Sequence, residues 1–162
     1  MLSTLGHKRD ISKQHALMNV SQGTQTATTQ DPQGRAERKT ILVVDDSLDT
    51  AMPMARMISH FGHRGEYVTS GEAALEFVKN RLPDLMLLDV MMPGIDGLEV
   101  LRNLRSDPKT AKLPVVLFSA ISDPAYRAHA LQKGANDYWV KASVDFDELR
   151  IRIERLLGGP VH

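Results

Sequence analysis

Short apolar runs alternate with longer segments of helical spacing through most of this 162-residue chain. The runs are continuously apolar rather than alternating, which indicates strands that are buried on both faces. The predicted strands are Ile41–Val44, Glu66–Thr69 (the weakest), Leu85–Leu88, Pro114–Ser119 and Asp137–Val140. The predicted helices are Ser47–Phe61, Ser70–Lys79, Leu98–Arg105, Ala125–Lys133 and Phe146–Leu157. This order predicts an α/β fold, a doubly wound five-stranded parallel sheet flanked by five helices.

Polar and helix-breaking residues mark the ends of several predicted helices. Ser70, Asp96 and Asp145 stand in capping positions, and Gly134 suits a left-handed helix terminator. Pro53 lacks a backbone donor, so we expect it to kink the first helix or to shorten its first part.

Composition changes near Lys39 and separates a tail from the predicted domain. The stretch NVSQGTQTATTQDPQGRAERK is rich in Gln, Thr, Ser and Gly and nearly lacks large apolar residues. Because such a stretch buries too little apolar surface to offset its ordering entropy, we predict a flexible, disordered tail over 1–39. The predicted domain covers 40–159. No output domain follows it, so we expect a stand-alone, single-domain protein.

Charge and hydropathy argue against several classes of function. The chain has 20 basic and 20 acidic residues, so no global field attracts nucleic acid or an anionic membrane. No apolar run approaches the ~18 residues that span a bilayer, and the N-terminus lacks the apolar block of a secretory signal. The chain has no cysteine, which suits a reducing compartment. We therefore expect a cytoplasmic protein without nucleic-acid binding or membrane insertion.

Polar residues stand at the ends of four predicted strands. Asp45 and Asp46 follow the first strand, Asp89 follows the third, Ser119 ends the fourth and Lys141 follows the fifth. The carboxyl ends of parallel strands share one edge of the sheet, and such sheets bind ligands at that edge. The sequence therefore predicts that these five side chains converge. Asp46 is also placed to cap the first helix.

The chemistry of this set favours a phosphoryl group. Three carboxylates in one cleft repel each other unless positive charge neutralises them. Oxygen ligands without His or Cys favour Mg²⁺, and a lysine and a hydroxyl nearby suit phosphoryl oxygens. A carboxylate can also be the nucleophile that forms an aspartyl phosphate. Nucleotide binding is disfavoured, because VVDDS lacks the Gly-rich loop that would cradle phosphates.

Five motifs occur in order between Lys39 and Leu157: ILVVDDS, GEAAL, LLDVMMPGIDG, LPVVLFSA and KGANDYWVK. Through them the chain resembles the receiver domain of bacterial two-component response regulators. The resemblance implies a flavodoxin-like receiver fold, a Mg²⁺ cofactor and a phosphoryl group delivered by a sensor histidine kinase or a histidine phosphotransfer protein. It implies a signalling domain rather than an enzyme, with only self-catalysed phosphoryl transfer and slow autodephosphorylation.

The resemblance also implies a metal site. Asp89 would accept the phosphoryl group and ligate Mg²⁺ together with Asp46 and the main-chain carbonyl of Met91. Asp45 would reach the metal through water. A turn set by the following Pro-Gly pair would hold the Met91 carbonyl toward the metal.

The resemblance implies a switch as well. Lys141 would pair with the phosphoryl oxygens, and Ser119 would donate a hydrogen bond to them. Tyr138 would change rotamer with Ser119 and so alter binding of a downstream protein at the face of the fourth helix, fifth strand and fifth helix. The candidate contacts on this face are Ala125, Tyr126, His129 and Trp139.

One departure from the family pattern and one further detail of the sequence lead to further expectations. The family usually has a cis proline after the lysine, but Ala142 stands here. A cis bond before a non-proline residue costs about 2.5–4 kcal/mol, so we expect a trans bond with a rearranged loop or a strained cis bond. Met91 and Ile121, two positions after Asp89 and Ser119, are apolar and offer no group to orient a hydrolytic water. We therefore expect slow dephosphorylation.

Two rival functions remain open from the sequence. A phosphohydrolase with an aspartate nucleophile would place a second acid two residues later, where this chain has Met91. A scaffold with a pocket that is no longer phosphorylated would keep the fold alone. The sequence does not indicate the cognate kinase, the downstream partner or the oligomeric state.

Overall fold

The structure, a computed structural model, describes residues 37–159 as alternating strands and helices. The strands are β1 (Thr40–Val44), β2 (Arg64–Val68), β3 (Leu85–Leu88), β4 (Val115–Ser119) and β5 (Asp137–Val140). The helices are α1 (Leu48–His60), α2 (Gly71–Asn80), α3 (Gly97–Ser106), α4 (Pro124–Gln132) and α5 (Phe146–Leu156). None of these helices is long and apolar enough to cross a membrane. The predicted tail lies outside the described residues except for 37–39, and its boundary stays a prediction.

The sheet has the order β2-β1-β3-β4-β5, and every pairing in it is parallel. The chain first moves outward from β1 to β2 and then crosses to the other side of β1 to form β3. This reversal leaves a crevice beyond the carboxyl ends of β1 and β3, where sheets of this kind bind ligands. The predicted doubly wound, five-stranded parallel sheet is confirmed.

Alternate side chains of the strands form two separate apolar layers. The α1/α5 layer packs against α1 and α5 and contains Ile41, Val43, Leu85, Leu87, Val116, Phe118 and Trp139. The α2–α4 layer packs against α2, α3 and α4 and contains Leu42, Val44, Met86, Leu88, Val115, Leu117 and Tyr138. Both faces of the sheet are therefore buried, which accounts for the continuous apolar runs in the sequence.

The weakest predicted strand begins earlier than expected. β2 spans Arg64–Val68 instead of starting at Glu66, because Arg64 and Gly65 pair with the first residues of β1. A β-carbon on Gly65 would lie 2.0 Å from the carbonyl oxygen of Ala55, so only glycine lets α1 approach this strand so closely. β2 forms one edge of the sheet and is half exposed, which is why its pattern is weak.

Pro53 does not shorten α1. The helix begins at Leu48, directly after the N-cap residue Ser47, and continues through Pro53 to His60. Pro53 is exposed on the outer side of the helix. The expectation of a shortened first part was wrong, because the buried side chains of Ala51, Ala55 and Ile58 anchor α1 on both sides of the proline.

Several predicted helix ends are confirmed. The side chains of Ser70, Asp96 and Asp145 each accept a hydrogen bond from the backbone N–H three residues later. Gly134 follows α4 with a positive φ of 102°, as a left-handed terminator should. Local side-chain chemistry therefore sets where α2, α3, α4 and α5 begin or end.

A buried histidine joins the α1–β2 turn to α5. His63 is 5% exposed, and its Nε2 lies 2.9 Å from Oε1 of Glu154. An ionised carboxylate only accepts hydrogen bonds, so Nε2 carries the proton in this pair. The contact ties the turn that precedes the edge strand to the last helix.

We expect Glu154→Ala to lower the free energy of unfolding by about 1–3 kcal/mol, because it leaves a buried N–H without an acceptor. Glu154→Gln keeps an amide oxygen at the same place and should lose much less. Urea denaturation at neutral pH measures both variants. Equal losses would show that this hydrogen bond does not stabilise the fold.

Candidate functional site

Three strand ends deliver charged side chains to the crevice. Asp45 follows β1, Asp89 follows β3 and Lys141 follows β5. Each stands two residues after a member of the α1/α5 layer, so the alternation of the strands points all three toward the same face of the sheet. The predicted convergence therefore follows from strand phase as well as from the shared edge.

The three carboxylates form a compact cluster. One oxygen from each of Asp45, Asp46 and Asp89 lies within 4.8 Å of the others. Asp45 and Asp89 are buried, at 3% and 6% exposed, whereas Asp46 is open to solvent. Lys141 completes the cluster, with its Nζ 2.5 Å from Asp45 Oδ2 and 3.5 Å from Asp89 Oδ2. The ammonium therefore contacts both buried carboxylates but is closer to Asp45.

Burial raises the pKa of the Asp89 carboxyl above its ordinary value. The positive charge of Lys141 and the backbone N–H of Met91 oppose this rise, and the negative charge of Asp45 adds to it. The net rise shows that the lysine does not fully compensate the burial of this carboxylate beside Asp45. A further cation at this place would favour the ionised form of Asp89.

The donor set fits Mg²⁺. All three side chains offer hard carboxylate oxygens, and the exposed side of the cluster at Asp46 leaves room for the water molecules that Mg²⁺ retains. Within residues 37–159 no other group of acidic or histidine side chains gathers in this way. The cluster can therefore hold one small divalent cation.

The alternative role of Asp46 as a helix cap was wrong. Ser47 occupies the N-cap position of α1, and no side chain there makes a capping hydrogen bond. Instead, Oδ1 of Asp45 accepts a hydrogen bond of 2.9 Å from the backbone N–H of Ser47. This arrangement leaves the carboxylate of Asp46 free for a ligand.

The β3–α3 loop is held tightly against the site. Gly94 has a positive φ of 76°, which makes the turn after Pro93. A β-carbon on Gly97 would lie 2.2 Å from the carbonyl oxygen of Asp89, so the start of α3 packs directly on the backbone of Asp89. Met91, between them, is 66% exposed. The predicted turn at the Pro-Gly pair is present, and the role of the Met91 carbonyl as a metal ligand stays a prediction.

Ser119 and Tyr138 lie on the opposite, α2–α4 side of the sheet and share one partner. The hydroxyl oxygen of Ser119 accepts a 3.1 Å hydrogen bond from the backbone N–H of Ile121, and the hydroxyl of Tyr138 donates a 2.8 Å hydrogen bond to the Ile121 carbonyl. The ring of Tyr138 also contacts Tyr126 of α4, with centroids 6.1 Å apart. The backbone of Ile121 thus connects the two predicted switch residues, and the ring of Tyr138 connects them to α4.

The bond between Lys141 and Ala142 is trans, since the described residues contain no cis peptide bond. A short 3₁₀ turn, Lys141–Ser143, follows β5 and leads into α5. The rearranged loop, rather than a strained cis bond, is therefore what replaces the family's proline. The turn still brings the ammonium of Lys141 to the two buried carboxylates.

Two features were missed or misread from the sequence. Trp139, a predicted surface contact, is only 1% exposed, because its strand phase turns it into the α1/α5 layer. Phe118 had no predicted role, yet its ring lies under the Lys141 ammonium, 5.8 Å from Nζ to the ring centroid. The alternation of side chains along β4 and β5 could have indicated that Phe118 and Lys141 lie on the same face of the sheet. Phe118 pairs with Trp139, which is two residues before the lysine.

A family model for the response regulator receiver domain matches residues 41–154, and this chain belongs to that family. The resemblance drawn from the five motifs is thereby confirmed. Receiver domains are parts of two-component signalling systems, and Mg²⁺ and phosphorylation are typical of the family.

Similar curated proteins include longer regulators. The transcriptional regulatory protein AfsQ1 of Streptomyces coelicolor is 41% identical over 97 residues, which cover 60% of this chain and 41% of that protein. The response regulator MprA of Mycobacterium sp. (strain KMS) is 39% identical over 117 residues, 72% of this chain and 50% of that protein. The chain thus spans half or less of the length of these two relatives.

Similar solved structures are receiver domains. The receiver domain of a signal transduction histidine kinase from Syntrophus aciditrophicus has 32% identity and a TM-score of 0.68, covering 74% of this chain and 90% of that one. The receiver domain of sensor histidine kinase PA1611 from Pseudomonas aeruginosa PAO1 has 26% identity and a TM-score of 0.68, covering 76% of this chain and 100% of that one. The latter has a magnesium ion coordinated in its active site cleft.

We expect Asp46→Asn to weaken Mg²⁺ binding by about tenfold or more, because it removes the charge of the most accessible carboxylate in the cluster. Isothermal titration calorimetry of wild type and variant measures the dissociation constants. Asp49→Asn, in the exposed first turn of α1 and outside the cluster, is the matched control and should bind like wild type. Equal affinity of all three proteins would contradict the assignment of the metal to this cluster.

Proposed function

We propose that this protein is a phosphoreceiver that takes a phosphoryl group onto Asp89 from a sensor histidine kinase or a histidine phosphotransfer protein. The observation that carries the proposal is the gathering of three carboxylates within 4.8 Å in the crevice, with one ammonium against two of them. Asp89 suits the role of nucleophile because Lys141 contacts it less closely than it contacts Asp45.

The transfer step exchanges one bond to phosphorus for another. A carboxylate oxygen of Asp89 attacks the phosphorus, and the bond to the donor's imidazole nitrogen breaks while that nitrogen keeps the electron pair. The imidazole leaves neutral when its other nitrogen carries a proton, and the product is a mixed anhydride on Asp89. Lys141, 3.5 Å from the attacking carboxylate, is placed to pair with the phosphoryl oxygens.

A bound Mg²⁺ supplies the positive charge that offsets the carboxylates and the phosphoryl oxygens. We assign its protein ligands to Asp46, Asp89 and the main-chain carbonyl of Met91, with Asp45 reaching it through water. The outer role suits Asp45, because Lys141 contacts one of its oxygens and the Ser47 N–H donates to the other. Asp46 suits direct ligation because its carboxylate is exposed and does not cap α1.

The shared contact at Ile121 supports a switch. The Ser119 hydroxyl oxygen accepts from Ile121, which leaves its own proton free to be donated to a phosphoryl group. Movement of Ser119 toward that group would pull on the N–H of Ile121, to which its hydroxyl is hydrogen bonded. The carbonyl of Ile121 accepts the hydrogen bond from the Tyr138 hydroxyl, so the movement would also reach Tyr138. Phosphorylation would thereby bias the packing of α4 on β5.

The face formed by α4, β5 and α5 is where we place binding of the downstream protein partner, whose identity is unknown. Ala125 and His129 of α4 are exposed and Tyr126 is partly exposed, so all three can contact a partner. Trp139 is buried and is excluded from that surface. The stand-alone arrangement and the cytoplasmic location expected from the sequence stay predictions.

The two rival functions lack support of this kind. A phosphohydrolase of the aspartate-nucleophile type needs an acid at the position of Met91, which is an exposed apolar side chain. A scaffold without phosphorylation would not need an ammonium between two buried carboxylates, where it must be desolvated in part. Both rivals predict that no stable phosphoryl group accumulates on Asp89.

We expect wild-type protein incubated with acetyl phosphate and Mg²⁺ to gain one phosphoryl group, stable in acid and labile in base, and Asp89→Ala to gain none. Intact-protein and peptide mass spectrometry measure both results. Asp123→Ala, at the exposed N-cap of α4, is the control for nonspecific phosphorylation and should still gain the group. Turnover of a phosphomonoester without accumulation would favour the hydrolase, and no reaction at all would favour the scaffold.

We expect slow loss of the phosphoryl group, with a half-life of many minutes or longer, because neither Met91 nor Ile121 can orient a water toward phosphorus. Met91→Asn introduces a polar group beside Asp89 and should shorten the half-life severalfold. Phos-affinity gel electrophoresis after removal of the donor follows the decay. A half-life of seconds for the wild type would contradict this expectation.

A further inference from the structure

The ring of Phe118 lies beneath the ammonium group of Lys141. Nζ is 5.8 Å from the ring centroid, within the distance at which a cation is attracted to the face of an aromatic ring. We propose that Phe118 is a positioning residue that holds the Lys141 ammonium at the place where the phosphoryl oxygens arrive. This inference rests on the proposed phosphoreceiver function.

The backbone does not fix the lysine side chain by itself. Lys141 is the first residue of a short 3₁₀ turn, and the next residue is Ala142, joined by a trans bond. The lysine stem has four rotatable carbon–carbon bonds, and about a quarter of the side chain is exposed (25%). A contact beyond the turn is therefore needed to hold Nζ in one place.

The ionic contacts of Lys141 do not meet this need during the reaction. Nζ contacts the carboxylates of Asp45 and Asp89, which are also the groups that a divalent cation and the phosphoryl group engage. A bound cation or phosphorylation at these carboxylates weakens their attraction for the ammonium. An aromatic ring neither binds the metal nor accepts the phosphoryl group, so its attraction for the ammonium persists through every state of the site.

Phe118 is itself held rigidly. It lies in β4, is 6% exposed and pairs with Trp139 of β5 in the α1/α5 layer. Strand phase puts Phe118, Trp139 and Lys141 on the same side of the sheet, so the ring lies beside the path of the lysine stem. Because ring and strand are fixed by packing, the ring offers the ammonium a platform that does not move with the loop.

The attraction comes from the quadrupole of the ring, and fluorine withdraws it stepwise with little change of shape. We expect mono-, di- and trifluorinated phenylalanine at position 118 to lower the rate of phosphorylation by acetyl phosphate progressively, by about threefold to tenfold overall. Urea midpoints should stay close to that of wild type.

Phe61 is the matched control. It packs against the same apolar layer, and its ring contacts Phe146 edge-on rather than any cation among the described residues. The same fluorinated series at position 61 should leave the rate unchanged. A rate that does not depend on fluorination at position 118, or that falls equally at position 61, overturns the proposal.

A second measurement needs neither metal nor phosphodonor. Protons over the face of an aromatic ring are shifted upfield, so the Lys141 Hε resonances of the metal-free protein should lie upfield of their positions in Phe118→Leu. Identical positions in the two proteins overturn the proposal. Failure of the phosphoreceiver function is distinct, because in that case wild type itself gains no phosphoryl group while the ring-current shift is still observed.

Discussion

Burial of carboxylates at the carboxyl edge of the sheet is the constraint on which the candidate site depends. Two of the three carboxylates are buried, and burial raises the pKa of Asp89 even beside a lysine. The strand ends bring these side chains to the crevice, and the start of α3 packs on the Asp89 backbone at Gly97. Such a site favours the binding of a cation, because positive charge offsets the buried carboxylates. The proposed phosphoryl transfer depends on this.

The proposed chemistry and the proposed switch lie on opposite faces of the sheet. Asp45, Asp89 and Lys141 continue the phase of the α1/α5 layer, whereas Tyr138 belongs to the α2–α4 layer and Ser119 continues the phase of that layer from Leu117. The sheet therefore separates Asp89, the proposed phosphorylation site, from α4, the helix that would respond to it. On the second face, the backbone of Ile121 contacts both Ser119 and Tyr138.

Much of this could be predicted from the sequence, because strand ends in a parallel sheet are recognisable and carry their side chains to one edge. The positions of Asp45, Asp89 and Lys141 followed from that rule alone. The start of β2 did not, because an edge strand is half exposed and its glycine is explained only by the approach of α1. The contact of Phe118 with Lys141 depends on the register between β4 and β5, which no local pattern specifies.

His63 and Glu154, which contact each other through their side chains, also contact the two ends of the described chain. Arg38, just before β1, donates from its Nε to the His63 carbonyl at 3.3 Å, and the backbone N–H of Gly159 donates to the Glu154 carbonyl at 2.9 Å. Both junctions therefore lie at one corner, on the amino edge of the sheet, opposite the acidic cluster. A unit with neighbouring ends can be spliced into a longer polypeptide while its reactive side stays unobstructed.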